Sequence, residues 1–229
     1  MSKTIVVAGF GTGISKAVAE KFGQEGFSVA LVARNAERLT AATQELQAKG
    51  IRAAAFATDL SDPQAVHALP AQVREQLGPA TVLHWNAYSM GAGDLLKTDA
   101  AELRQLFDLP VTSLVQAVRA FLPDLQKQPE PAVLITNGSL GVLDPAVDAM
   151  AVSWSAMGLA VANAAKHKLV RLLSAKLQPE GVYVGEVTVA GTVKGTPWDN
   201  GSATLESSTI AARFFELYRS RSPLSVTVS

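Results

Sequence analysis

Cysteine is absent from this chain, which excludes disulfides, thiolate nucleophiles and cysteine-held zinc or iron–sulfur sites. Histidine is scarce. His67, His84 and His167 stand far apart, with no pair at helical spacing, so no metal site is expected. Net charge is lacking too: 20 basic residues balance 20 acidic ones. That leaves no overall field to draw nucleic acid or anionic lipid, and it favours a small-molecule partner. Apolar runs of about eighteen residues are missing, so no membrane span is expected. The opening MSKTIVVAGFG carries an apolar stretch too short for the core of a signal peptide, and a cytoplasmic protein is the expectation.

What the chain does have is hydrophobic content, 48% over 229 residues, enough for one sizeable core and one domain spanning 1–229. Short β-branched runs recur at Thr4 to Ala8, Ser28 to Ala33, Arg52 to Ala57, Thr81 to Trp85, Ala132 to Thr136, Tyr183 to Val189 and Leu224 to Val228. Between them lie segments with i, i+4 apolar spacing, such as Ile14, Val18 and Phe22, each laying one stripe on a sheet. Strict alternation of strand and helix implies a Rossmann-like, doubly wound parallel sheet of about seven strands with helices on both faces. Turn chemistry falls where this scheme needs it: Gly26 and Gly50 end the first two helices, Asn35 caps the second, and Asp62-Pro63 opens the third. The stretch from Lys194 to Leu205 is the one long polar loop, after the sixth strand, where loops line a ligand crevice.

Directly after the first strand stands Gly9-Phe10-Gly11-Thr12-Gly13-Ile14-Ser15. Glycines let the backbone turn tightly there, and the following helix aims free N–H groups at a phosphate, as a dinucleotide pyrophosphate requires. At the end of the second strand an NAD site offers a carboxylate to the ribose 2′-hydroxyl, whereas this chain offers Ala33-Arg34-Asn35. A guanidinium pairs a 2′-phosphate in bidentate fashion, so NADP(H) is the expected cofactor. The bland reading is a solvated Arg34 beside a helix-capping Asn35.

With these motifs in order, the chain resembles the short-chain dehydrogenase/reductase family over nearly its whole length. Gly9 and Gly13 match two glycines of that family's loop, and Ser15 stands at the third. Thr58-Asp59-Leu60 resembles the family's acidic adenine-binding step. Asn86 and Ala87 match within its Asn-Asn-Ala-Gly motif. The segment Gly191-Thr192-Val193 resembles the one that contacts the nicotinamide carboxamide, with Ala190 in place of proline. The resemblance implies dimers or tetramers joined through the fourth and fifth large helices, and the stretch from Met157 to Ala165 is apolar and alanine-rich.

The family's chemistry resembles acid catalysis by a tyrosine whose pKa is lowered by a lysine four residues on, with a serine orienting the substrate oxygen. Counting back from Leu177 puts Leu159 and Asn163 in the two places; counting forward from Asn137-Gly138-Ser139 puts Trp154 and Gly158 there. Neither register supplies a phenol or an amine. Lys166 lies three residues beyond Asn163, but beside His167 and Lys168 it reads as part of a solvated face. Pro110 takes the place of the family's helical asparagine, so a bend is expected where a polar side chain is lost. Ser139 is the one catalytic candidate left, and it reads equally as a turn residue. His84, Trp85 and Tyr88 gather at the end of the fourth strand; the favoured reading has the first two packed and Tyr88 in a loop with its hydroxyl in water. Two functions follow as expectations: an NADP(H)-dependent oxidoreductase acting on a carbonyl or alcohol, or an NADP(H)-binding sensor or scaffold without turnover.

Overall fold

The computed structural model describes residues 3–229. Seven parallel strands form one sheet: β1 (Thr4–Ala8), β2 (Ser28–Ala33), β3 (Ala53–Ala57), β4 (Ala80–Trp85), β5 (Ala132–Gly138), β6 (Tyr183–Val189) and β7 (Ser225–Val228). Their order is β3-β2-β1-β4-β5-β6-β7, so the winding reverses between β1 and β4. That reversal opens a crevice at the carboxyl ends of the two strands, the position where sheets of this kind take ligands.

The inner strands β1 and β4 are buried along their whole length and mostly apolar rather than alternating. One layer, α1 (Ile14–Gln24), α2 (Ala36–Ala48) and α8 (Ser207–Ser220), covers Ile5, Val7, Leu31, Leu134 and Val187 with side chains such as Phe22, Leu39 and Phe214. The opposite layer, α3 (Pro63–Leu77), α5 (Leu114–Leu125) and α7 (Met157–Leu177), covers Val6, Val32, Leu83, Trp85 and Ile135 with Leu69, Phe121 and Val170. Two short helices, α4 (Ala100–Gln105) and α6 (Pro145–Ser153), lie in the connections above the carboxyl edge.

The turn chemistry holds. Asn35 Oδ1 accepts the Arg38 N–H at 2.8 Å, and Asp62 caps α3 ahead of Pro63. The bend at Pro110 is a π-helical turn, Asp108–Ser113, in which Thr112 N–H reaches back to Phe107 O at 3.0 Å. Proline has no N–H to donate to an α-helical ladder, and the widened turn absorbs the missing bond.

Candidate nucleotide-binding active site

Gly9 sits at the switch point with φ +80°, and a Cβ built on it would lie 2.5 Å from Ala87 N. A side chain there is excluded twice, by the left-handed backbone and by the neighbouring main chain. Asn86 locks the approach, donating Nδ2–H to Gly9 O at 3.3 Å while its own N–H bonds Ala8 O at 2.8 Å. The loop then turns into α1, where Ser15 Oγ accepts the Gly11 N–H at 2.7 Å. Gly13 caps α1 without a side-chain hydrogen bond, and the first turn carries no acidic residue. The N–H groups of Ile14 and its neighbours at that terminus are therefore open to an anion, with the exposed Thr12 at its rim.

Past β2, Arg34 and Arg38 are both exposed, and neither has an ion-pair partner among the described residues. Asp59 across from them holds the Ser61 N–H at 2.9 Å and the Ser61 hydroxyl at 2.7 Å. Those two bonds, with a smaller contribution from the Arg34 charge, keep its carboxyl below the usual range. Leu60 beside it is buried. Arg38 was not singled out by sequence; its place on the first turn of α2, four residues after Arg34, was the available signal.

The carboxyl end of β5 presses tightly on α7. A Cβ on Gly138 would meet Asn163 Nδ2 at 2.6 Å, and one on Gly141 would meet Ala164 N at 2.4 Å. Ser139 begins the short 3-10 turn between them, half-buried. Asn137 donates to Asn163 O at 3.0 Å and to Glu186 Oε1 at 2.7 Å. Glu186, fully buried in β6, also accepts from Ser225 Oγ at 2.9 Å and lies 2.7 Å from His167 Nδ1. A lone carboxylate within the run VYVGEVTV marks this network in the sequence, since a buried charge needs several partners.

Lys166 corrects the sequence reading. It is 3% exposed rather than part of a solvated face, because helix phase sets it with Ala162, Asn163 and Val170 on the buried side of α7. Burial pushes its amine down to about 8, with Glu186 pulling back the other way. Lys168, next along, is exposed as expected.

His84 and Trp85 are packed, as favoured. His84 Nε2 lies 3.1 Å from Thr136 Oγ1, its ring meets Phe214 edge-on at 4.7 Å, and burial lowers its pKa to about 3. Tyr88 is 43% exposed, and its hydroxyl accepts from Trp198 Nε1 at 3.4 Å rather than standing in water alone. The segment holding Gly191, Thr192 and Val193 leads into the polar loop, which is pinched shut at its base by a bridge between Val193 and Leu205. Asp199 stiffens it by accepting the N–H groups of Gly195 and Gly201 at 3.0 and 2.9 Å. Its Thr196 methyl reaches within 2.6 Å of where a Gly13 Cβ would stand, so the loop leans on the glycine turn.

A model of the short chain dehydrogenase family matches residues 3–204. The chain belongs to that family. This short-chain dehydrogenase is 29% identical over 185 residues to 1-deoxy-11-beta-hydroxypentalenate dehydrogenase of Streptomyces exfoliatus, matching 80% of this chain but 65% of that protein. It thus spans somewhat less than two thirds of that relative's length. It is 30% identical over 186 residues to meso-2,3-butanediol dehydrogenase of Serratia marcescens, with 81% of this chain and 70% of the relative aligned. A solved short chain oxidoreductase of Pseudomonas aeruginosa PAO1, NADPH-bound and described as containing an atypical catalytic centre, superposes with a TM-score of 0.88 at 24% identity, covering 99% of this chain and 95% of that one. Among the described residues no helix is long and apolar enough to cross a membrane, and no cluster of His, Asp and Glu could hold a metal ion.

Proposed function

We propose that this short-chain dehydrogenase binds NADP(H) and interconverts a carbonyl and an alcohol on an uncharged substrate. The observation that carries the reading is the pair Arg34 and Arg38, unpaired beside an uncapped helix terminus, where Asp59 is engaged by Ser61 and Glu37, in the same turn, forms no ion pair with either arginine among the described residues. The residues present fit the dinucleotide: Gly9, Gly11, Thr12, Gly13 and Ile14 take the pyrophosphate, Arg34 and Arg38 take the 2′-phosphate behind the cap of Asn35, and Asp59 with Leu60 flanks the adenine. Asn86 and Ala87 would wall the ribose side, and Gly191, Thr192 and Val193 would hold the nicotinamide. Reduced nicotinamide, when bound, supplies the hydride for a carbonyl carbon. Ser139 orients the substrate oxygen.

The chemistry of the rim supports an uncharged substrate. Tyr88, Met90, Leu143, Trp154 and Trp198 stand exposed on the segments after β4, β5 and β6, while the neighbouring charges of Asp94, Asp99, Asp144 and Asp199 are spent on local turns and caps. The NADPH-bound Pseudomonas aeruginosa structure is a further support.

Titration of NADPH and NADH into the protein, Arg34→Ala and Arg38→Ala tests the reading. NADPH is expected to bind far more tightly, each substitution costing about tenfold or more of that preference, the worth of a charge-assisted hydrogen bond. Equal affinities, or a preference untouched by both substitutions, would overturn the cofactor assignment. Tight NADPH binding without oxidation across a panel of apolar aldehydes, ketones and quinones would favour a binding protein instead.

A further inference from the structure

Resting on that reading, we propose that Lys166 is the proton donor to the carbonyl oxygen, the amine being delivered from an unusual place, one turn deeper along α7 than the residues that line β5. Reduction of a carbonyl leaves its oxygen in need of a proton, so some group at the carboxyl edge must hold one near neutral pH. Four of the candidates there are otherwise engaged or misplaced. His84 is fully buried, tied to Thr136, and its pKa of about 3 leaves no proton to give. His167 is bound to Glu186, and Lys194 is paired with Glu206 at 2.6 Å. Tyr88 stands half in solvent at the rim, its hydroxyl accepting from Trp198.

Lys166 differs in each respect. It is buried, yet among the described residues its Nζ makes no hydrogen bond and no ion pair. An ammonium buried with only the charge of Glu186 acting on it costs stability and needs a purpose. Helix geometry supplies the direction. Side chains lean toward the helix N-terminus, and the N-terminus of α7 lies at the carboxyl edge of a parallel sheet. Lys166 is about 4.5 Å below Asn163 along the axis, a rise that its four-carbon stem exceeds. On that geometry the stem would rise past Asn163, a small, neutral side chain standing against Gly138 next to Ser139.

The step balances simply. As the carbonyl carbon receives its hydride, the carbonyl π pair moves to oxygen and takes the proton from Lys166, an N–H bond breaking and an O–H bond forming, with the nitrogen pair left on Nζ. Water reprotonates the amine. Of the groups on elements packed against α7, Glu186 on β6 is the one whose charge acts on Lys166; His167 is consumed by Glu186, β5 has no titratable side chain, and Asp108, Asp148 and Glu180 are exposed at the ends. An amine near 8 is well matched to giving a proton around neutrality.

The test compares wild type with Lys166→Met and Lys166→Arg. NADPH titration comes first, with affinities expected within a few-fold of one another; if wild type binds no NADPH, the proposed function and this step fall together. Carbonyl reduction by Lys166→Met is expected to drop by about 10² to 10⁴ in kcat. The wild-type rate should fall above about pH 8, and Lys166→Arg should lack that limb, because a guanidinium does not release its proton there. In the apo protein, the rate of Lys166 acetylation followed by peptide mass spectrometry should reach half its limit near pH 8. Full turnover by Lys166→Met with an unchanged alkaline limb, or a labelling midpoint near 10.5, overturns the assignment while leaving nucleotide binding intact.

Discussion

Replacing Lys166 by Met should make the protein more stable at pH 7, a result opposite to the usual effect of a core substitution. In the folded chain the amine titrates near 8; in the unfolded chain it returns to 10.5. Each tenfold change in proton affinity is worth about 1.4 kcal/mol, so confining the ammonium costs about 3 kcal/mol at neutral pH. The sign follows from which state holds the proton. Below pH 8 both states are protonated and the full cost is paid by the folded form; between 8 and 10.5 only the unfolded chain stays protonated, and wild type gains stability as pH rises. Met fills a similar volume with no charge to desolvate, so its advantage is about 3 kcal/mol at pH 7 and vanishes by about pH 10.5. Urea unfolding at pH 7 and pH 10 measures both numbers. A variant no more stable than wild type at pH 7, or an advantage that does not shrink with pH, would refute the electrostatic account of this residue.

Other outcomes follow from the same geometry. Gly9→Ala should lose about 2 to 5 kcal/mol, combining a left-handed alanine with a main-chain clash against Ala87, and thermal unfolding will report it. His84, neutral in the fold, gives stability that is complete above pH 6.5 and lost as the unfolded chain gains its proton toward pH 3, about 5 kcal/mol in all. His84→Leu should flatten that acid limb in denaturation curves taken from pH 7 to pH 4. Asp199→Ala removes acceptors for three loop N–H groups, so limited proteolysis should cut between 194 and 205 faster with little change in melting temperature.

The sheet was readable because its signal is local. β1, β2 and β6 begin and end where their β-branched runs do, and Asn35 and Asp62 cap the helices they precede. The glycine turn and the position of Arg34 were legible for the same reason. What escaped depends on contacts across elements. Lys166 sits in a Lys-His-Lys triplet that looks solvated, and only its phase with Ala162, Val170 and Leu177 betrays a buried face. Glu186 could be marked as odd in its strand, but not matched to Asn137, His167 and Ser225, which come from three other elements. The bend at Pro110 was foreseeable; that it takes the form of a π turn depends on the carbonyl of Phe107 being within reach of Thr112.

The buried carboxylate of Glu186 also tells β6 where it is forbidden to sit. Successive residues of a strand face opposite sides, and Val187 already packs among the side chains of the α8 layer. A slip of one residue would carry Glu186 to that side, against Ile210 and Phe214, and strip it of all its donors. The valine-rich run around it could pair in several ways on hydrophobicity alone. One charge with fixed partners on β5, α7 and β7 leaves a single alignment, so the carboxyl ends of β5 and β6 arrive side by side at the height where the site is built.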